Sequence, residues 1–209
     1  MPARNIRSLY IVGNSYSAAT QSTGNKVWGG KLGNMLGFQY VQPNNVAVPG
    51  AQLLDIPARG KPGLLTQLSR IPAGPKSYAL LTIWLFPDLT VPAPPSTWPL
   101  YTQGVDIAYS LGFRKIFMPN LPDITKTRYY KSIYTRMQLT NLHNMFANFN
   151  SMYATMIGSF RSRHPDTAFA SCDMFNLWDG QTTGPDNFHP SEAGHALFAG
   201  WFFTAVHNL

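Results

Sequence analysis

Short apolar runs alternate along the chain with longer stretches in which apolar residues recur every three or four positions. A short apolar run predicts a buried strand, and the three-to-four spacing predicts an amphipathic helix. Residues 6–12 read as a first strand that ends at Gly13, and 25–36 as a helix closed by Gly37. A second strand falls within 39–48, before Pro49 and Gly50. Residues 63–71 form a short helix with Leu64, Leu65 and Leu68 on one face. The clearest strand signal is 78–85, and a loop with Pro87, Pro92, Pro94, Pro95 and Pro99 follows it. A helix over 100–111 stops at Gly112, and 115–119 is a fourth strand. The long helix 138–163 carries Leu139, Leu142, Met145, Phe146, Phe149, Met152 and Met156 at near-helical spacing. Residues 167–172 are a fifth strand, and 191–206 a terminal helix.

Strand and helix alternating five times predict an α/β fold, with a five-stranded, mainly parallel sheet between two helical layers. No break in composition divides the chain, so 1–209 is read as one domain. In such sheets the site lies beyond the carboxyl ends of the strands. The loops that matter are then 13–24, 49–62, 86–99, 119–137 and 173–190.

Composition narrows the function classes. Charged residues make up only 12% of the 209, and aromatic residues 13%, which argues against a disordered chain. The single cysteine, Cys172, excludes an internal disulfide and a multi-cysteine zinc site, and it reads as a core residue within an apolar strand. No apolar run reaches the length that spans a bilayer, and the stretch near the start is too short for a signal-peptide core. The expectation is a soluble cytoplasmic protein, with an exported mature form also compatible. The net charge of +7 reflects scarce acids: Glu192 is the single glutamate. Basic residues are scattered, so nucleic acid is not an expected partner. One cluster, Lys126, Arg128, Lys131 and Arg136 among Tyr129, Tyr130 and Tyr134, reads as a solvated loop and helix start. A lid that draws in an anionic substrate is the alternative.

The first loop reads Gly13-Asn14-Ser15-Tyr16-Ser17. A serine just beyond the first strand is placed to act as a nucleophile, with backbone N–H groups around it to face a developing oxyanion. A turn with a capping serine is the plainer reading of the same residues. The last loop reads Asp186-Asn187-Phe188-His189-Pro190. An Asp and a His three positions apart meet within one turn, and the carboxylate then takes the Nδ1 proton and leaves Nε2 for a serine. A purely structural His189 is the plainer reading here. His195, in the terminal helix, reads as a surface or packing residue, Asp173 as a strand-end cap, and His143, His164 and His207 have no motif around them. Nothing in the chain matches a metal-binding helix, a phosphate loop or a dinucleotide fingerprint, so no metal or cofactor is expected.

Taken together, these loops resemble the SGNH (GDSL) hydrolase superfamily over nearly the whole chain. Residues 13–17 are similar to its first block, Gly-Asp-Ser-hydrophobic-Ser, with Asn14 in place of Asp. Residues 45–51, Asn-Val-Ala-Val-Pro-Gly-Ala, resemble the second block, whose glycine, here Gly50, helps bind the oxyanion. Asp186, His189 and Pro190 match the final Asp-x-x-His-Pro block, and Leu121-Pro122 resembles the loop after the fourth strand. The resemblance implies a three-layer αβα, flavodoxin-like fold. It also implies ester hydrolysis by Ser15, Asp186 and His189 without a cofactor, with the N–H groups of Ser15 and Gly50 as the oxyanion hole. Position 17 is serine, so the Gly-x-Ser-x-Gly of α/β-hydrolases is absent.

The third block departs from the family pattern. Gly-x-Asn-Asp is expected after the third strand, and here 83–89 read Ile-Trp-Leu-Phe-Pro-Asp-Leu. Asp88 remains, but Pro87 stands where the family's oxyanion-donating Asn belongs. A lost donor costs about 10²–10³ in rate. Asn14, Asn120 and the Trp84 indole are the candidate substitutes, and Trp84, Phe86 and Trp98 either line an acyl pocket or pack under the Pro-rich loop. Three functions follow. The first is hydrolysis of a small-molecule ester. The second is acyl transfer to an alcohol, or lactone formation or rearrangement, on the same acyl-enzyme. The third is a binding protein or a non-covalent enzyme on this fold.

Overall fold

The computed structural model describes residues 6–18, 26–87 and 97–209. Four parallel strands form the sheet in the order β1 (Ser8–Gly13), β2 (Ala79–Trp84), β3 (Lys115–Phe117) and β4 (Ala168–Ala170). β1 and β2 pair along their full length, from Ser8 opposite Ala79 to Gly13 opposite Trp84. All six residues of β2 are buried, as a strand covered on both faces requires.

The helices are α1 (Trp28–Leu36), α2 (Leu64–Ser69), α3 (Thr97–Ser110), α4 (Arg128–Ile133), α5 (Arg136–Arg163), α6 (Met174–Leu177) and α7 (Glu192–Val206). α1 packs on α7, while α2, α3 and α5 pack in sequence. The result is the expected sheet between helical layers. α1 contains three glycines, which on propensity alone weaken a helix. Contact explains them in part: a Cβ on Gly29 would lie 2.6 Å from Ile11 Cδ1, so the glycine lets α1 lie close on β1. Beneath it Trp28, Trp84, Phe117, Phe198 and Phe202 form a ring cluster, with Trp28–Phe202 centroids at 5.0 Å and Phe117–Phe202 at 4.9 Å.

Three expectations need correction. The strand expected within 39–48 is reduced to a parallel bridge between Ile11 and Asn45, preceded by a 3-10 turn at Gln42–Asn44. Pro43 lacks the N–H that a ladder needs, so this fifth strand survives only as the bonds from Val46 N–H to Ile11 O and from Val48 N–H to Gly13 O. On α5 the buried stripe is Phe146, Phe149, Tyr153, Met156, Ile157 and Phe160, whereas Met152 is 44% exposed. Its first turns stand clear of the core, and there Thr135 and Gln138 supply a capping box that holds the end by local bonds. Finally, the basic-aromatic cluster is largely exposed and Arg136 opens α5, as expected, but the part read as loop is mostly a helix. Arg128–Ile133 is helical, capped by Thr127. Cys172 is buried as expected, its thiol pushed up to about 12 by burial and then by Asp173.

Candidate functional site

β1 ends at Gly13 because a Cβ there would meet Ser17 Cβ at 2.8 Å and the Trp84 carbonyl at 3.1 Å. Beyond it the chain makes one helical turn. Ser17 and Ala18 N–H donate to Asn14 O, and Tyr16 N–H donates to Asn14 Oδ1 at 3.1 Å. Ser15 sits in this turn, half-buried.

Side chains from three other segments fix the turn. Gln67, fully buried, accepts from Gly13 N–H at 2.9 Å and donates to Gly13 O at 3.0 Å. Asn45 Nδ2 donates to Ser17 O at 2.9 Å, and the Trp28 indole donates to Tyr16 O at 3.1 Å. A site is kept precise by such supporting bonds. None of the three has a sequence signal beyond an apolar or polar position in an element.

The last loop is held as tightly. One oxygen of Asp186 accepts the N–H groups of Phe188 and His189, both at 3.0 Å. Its other oxygen lies 2.5 Å from His189 Nδ1. Burial pushes the Asp186 carboxyl up, but the His189 hydrogen bond, the two backbone N–H groups and the His189 charge outweigh it and hold the carboxyl below its ordinary value. Asn187 takes a left-handed φ of 59°, which lets the loop double back so that Gly184 N–H donates to His189 O at 2.8 Å. Pro190 bridges Thr183, and Ser191 caps α7 through Gly194 N–H.

Ser15, Asp186 and His189 line one cavity of about 420 Å³. Tyr16 joins the two loops: its hydroxyl donates to Phe188 O at 3.2 Å, and its ring meets those of Phe188 and His189 at 5.5 and 5.9 Å. Burial, then Tyr130 and Asp186, keep this hydroxyl well above its ordinary pKa, so it remains a donor. α4 backs the same loop, with Tyr129 N–H on Asn187 O and Tyr130 stacked on Phe188.

The remaining candidates divide. Gly50, at φ 74°, belongs to the segment hung from β1 beside the Ser15 turn, and it is not among the residues lining the cavity. Asn14 is buried in its turn. Trp84 and Phe86 are core residues against Tyr16, not pocket walls. The Trp84 indole donates to Asn120 O at 3.1 Å and the Asn120 amide to Asp173 at 2.8 Å, and neither residue lines the cavity of Ser15. Asn120 and Asp173 line a separate cavity of about 370 Å³. Asp173 caps α6, as expected. Asp88 lies outside the described residues. His195 is the packing residue of the two readings, 8% exposed against Phe198, and it also lines the same cavity as Ser15 and His189.

A sequence model of the GDSL-like lipase/acylhydrolase family matches residues 9–202. The chain belongs to the GDSL-like lipase/acylhydrolase family. It is therefore a hydrolase by family. The fold of this GDSL chain agrees with solved structures at low identity. One is a member of the lipolytic G-D-S-L family from Veillonella parvula, at 11% identity and a TM-score of 0.64, covering 97% of this chain and all of that one. Another is the psychrotrophic esterase EstA from Pseudoalteromonas sp., at 9% identity and a TM-score of 0.53, covering 95% and 96%. No curated protein matches the chain. Among the described residues no helix is long and apolar enough to cross a membrane, and no group of His, Cys, Asp and Glu is arranged to hold a metal ion.

Proposed function

We propose that this chain hydrolyses a small carboxylic ester through an acyl-enzyme on Ser15. The observation that carries the reading is the shared cavity of Ser15, His189 and Asp186, with His189 Nδ1 committed to Asp186. That bond fixes the tautomer and leaves Nε2 as the basic nitrogen. Ser15 Oγ attacks the ester carbonyl while His189 Nε2 takes its proton. On this reading the tetrahedral oxyanion takes the N–H of Ser15 and, as second donor, the N–H of Gly50 from the neighbouring segment outside the cavity lining. Collapse breaks the bond to the alcohol, and His189 returns the proton to the leaving oxygen. Water then attacks the acyl group by the same route in reverse, and Ser15 is regenerated. Asp186 stabilises the imidazolium at each stage.

Pro87 tempers the rate. With Trp84 and Asn120 engaged elsewhere, the reading rests on two backbone donors, and a third would be worth about 10²–10³ in rate. Slow hydrolysis suits an acyl-enzyme that waits for an alcohol acceptor, which keeps acyl transfer as the second reading.

Intact-mass analysis after a small fluorophosphonate tests the nucleophile without knowledge of the substrate. A single adduct on the wild-type chain, absent from Ser15→Ala, is expected. A folded wild-type chain that takes no adduct would overturn the acyl-enzyme.

A further inference from the structure

The cavity holds a second imidazole that ester hydrolysis does not use. His195 lies in the first turn of α7, and its ring lines the cavity with Ser15, Asp186 and His189. It is more than nine-tenths buried, yet its Nδ1 has no hydrogen-bond partner among the described residues. Buried polar groups are nearly always paired, and packing does not require a nitrogen at this position. The ring's aromatic neighbour is Phe198, at 6.2 Å between centroids, which a phenyl group would serve as well. Burial, then the charges of Lys31 and His189, push the His195 pKa down to about 4. At neutral pH the ring is therefore uncharged, with one donor and one acceptor nitrogen.

The chemistry of the site says which half of an ester lies here. His189 must protonate the leaving oxygen, so the alcohol sits on the His189 side of Ser15. The cavity that His189 lines is also lined by Glu192, His195 and Lys26. Glu192 is also in reach of Lys31, at 3.5 Å, which keeps this wall close to neutral overall. A neutral imidazole, a carboxylate and an ammonium are donors and acceptors suited to hydroxyl groups. An alkyl chain would offer these lining groups no partner.

We propose that His195, with Glu192 and Lys26, forms the subsite for the alcohol half of the substrate, and that this alcohol carries further hydroxyl groups, as in a polyol or sugar ester. The proposal rests on the ester reading above. His195 acts as a specificity residue: it transfers no proton, and it reads the alcohol by hydrogen bonding.

Esters that share an acetyl group and differ in the alcohol provide the test. The wild-type chain is expected to favour glycerol monoacetate or an O-acetylated methyl glycoside over ethyl acetate by about tenfold or more in kcat/KM, since a site built to bond a hydroxyl discriminates against its absence. His195→Phe keeps the ring and removes both nitrogens, and should lower the hydroxylated esters about tenfold more than ethyl acetate. His195→Gln, which retains a donor and an acceptor, should restore part of the preference. Equal kcat/KM for the three esters in the wild-type chain overturns the subsite. So does a parallel loss on all three in both variants while the fluorophosphonate still labels Ser15. If the wild-type chain takes no label, the ester reading fails instead. NMR titration of the His195 ring signals with glycerol and methyl glucoside then decides the subsite by itself: a saturable shift supports it, and no shift overturns it.

Discussion

Three aspartate–histidine pairs lie within 2.8 Å among the described residues; one, Asp106–His164, joins α3 to the end of α5, and the other two differ in their surroundings. In the first, Asp186 and His189 meet at 2.5 Å, with the aspartate side chain 51% exposed. In the second, Asp123 and His143 meet at 2.7 Å, with the aspartate 1% exposed and the histidine 44%. Each pair fixes one imidazole tautomer, so the bond itself does not set them apart. The difference lies around it. The free oxygen of Asp123 caps the turn at Ile124–Lys126 by accepting from the Thr125 N–H and hydroxyl, and its histidine packs on Phe175. Neither residue lines the cavity that contains Ser15. The Asp186 pair lies beside a serine in that cavity, and Tyr16 ties the two loops together. A carboxylate bound to an imidazole is thus not in itself a chemical device, and at Asp123 it is a structural clamp. It becomes chemical when the second nitrogen has something to act on.

The largest effect expected from this contrast is kinetic. Asp186→Asn should keep the fold and cut kcat by about 10⁴, because the wrong tautomer then faces Ser15. Asp123→Asn should leave kcat within about threefold and lower stability by about 1–3 kcal/mol, since a buried cap and an imidazole lose their acceptor. Ester turnover and urea unfolding on both variants check the pair of outcomes. A large kinetic loss from Asp123→Asn would erase the distinction.

The two pairs also differ in how far the sequence reveals them. Asp186 and His189 stand three positions apart, so a local pattern brings them together. Asp123 and His143 are twenty positions apart and meet only because α5 passes over the 121–127 loop. The strands and long helices are legible for the same reason as the first pair: their signal is a period within a short window. The bridge at Asn45 is not, because Pro43 and the polar residues beside it weaken the strand pattern. Gln67 is equally silent, since nothing local shows that its amide closes on Gly13, 54 positions away. His195 reads as an ordinary helical residue because nothing in its helix shows that Ser15, Ala18 and Lys26, from the other end of the chain, complete a cavity with it.

In the cavity of the first pair, His195 Nδ1 is buried with no partner among the described residues, and that leaves a mark on stability. His195 has an ordinary pKa of 6.5 and a folded value near 4. The sign follows from which state binds the proton. Below 6.5 the unfolded chain takes it up while the folded chain resists, so stability falls as the pH drops from about 6.5 towards 4. The loss at the lower limit is about 1–3 kcal/mol, given that the ring is largely removed from solvent. His195→Phe should flatten the urea midpoint across this window relative to the wild-type chain. An unchanged slope would mean that the ring takes up its proton as readily in the fold as in the unfolded chain, and that burial does not hold it neutral.

The smallest effect sharpens the comparison most, because it concerns the link between loops and not the pair itself. Tyr16→Phe keeps the ring contacts with Trp84, Trp178 and Phe188 and removes one hydrogen bond, from the hydroxyl to Phe188 O. A neutral bond of this kind contributes about 0.5–1.5 kcal/mol, and the Phe188 carbonyl loses that donor. The Asp186–His189 bond is made within its own loop and should survive. What changes is where the imidazole sits relative to Ser15. If the tyrosine only fills the core, ester turnover should follow stability and stay within about twofold at temperatures where the variant is folded. If it holds the two loops in register, kcat should fall by about three- to tenfold with little change in KM, because positioning acts on the transition state more than on binding. The same measurement on Asp123→Asn supplies the control, a loss of stability at a pair that touches neither loop.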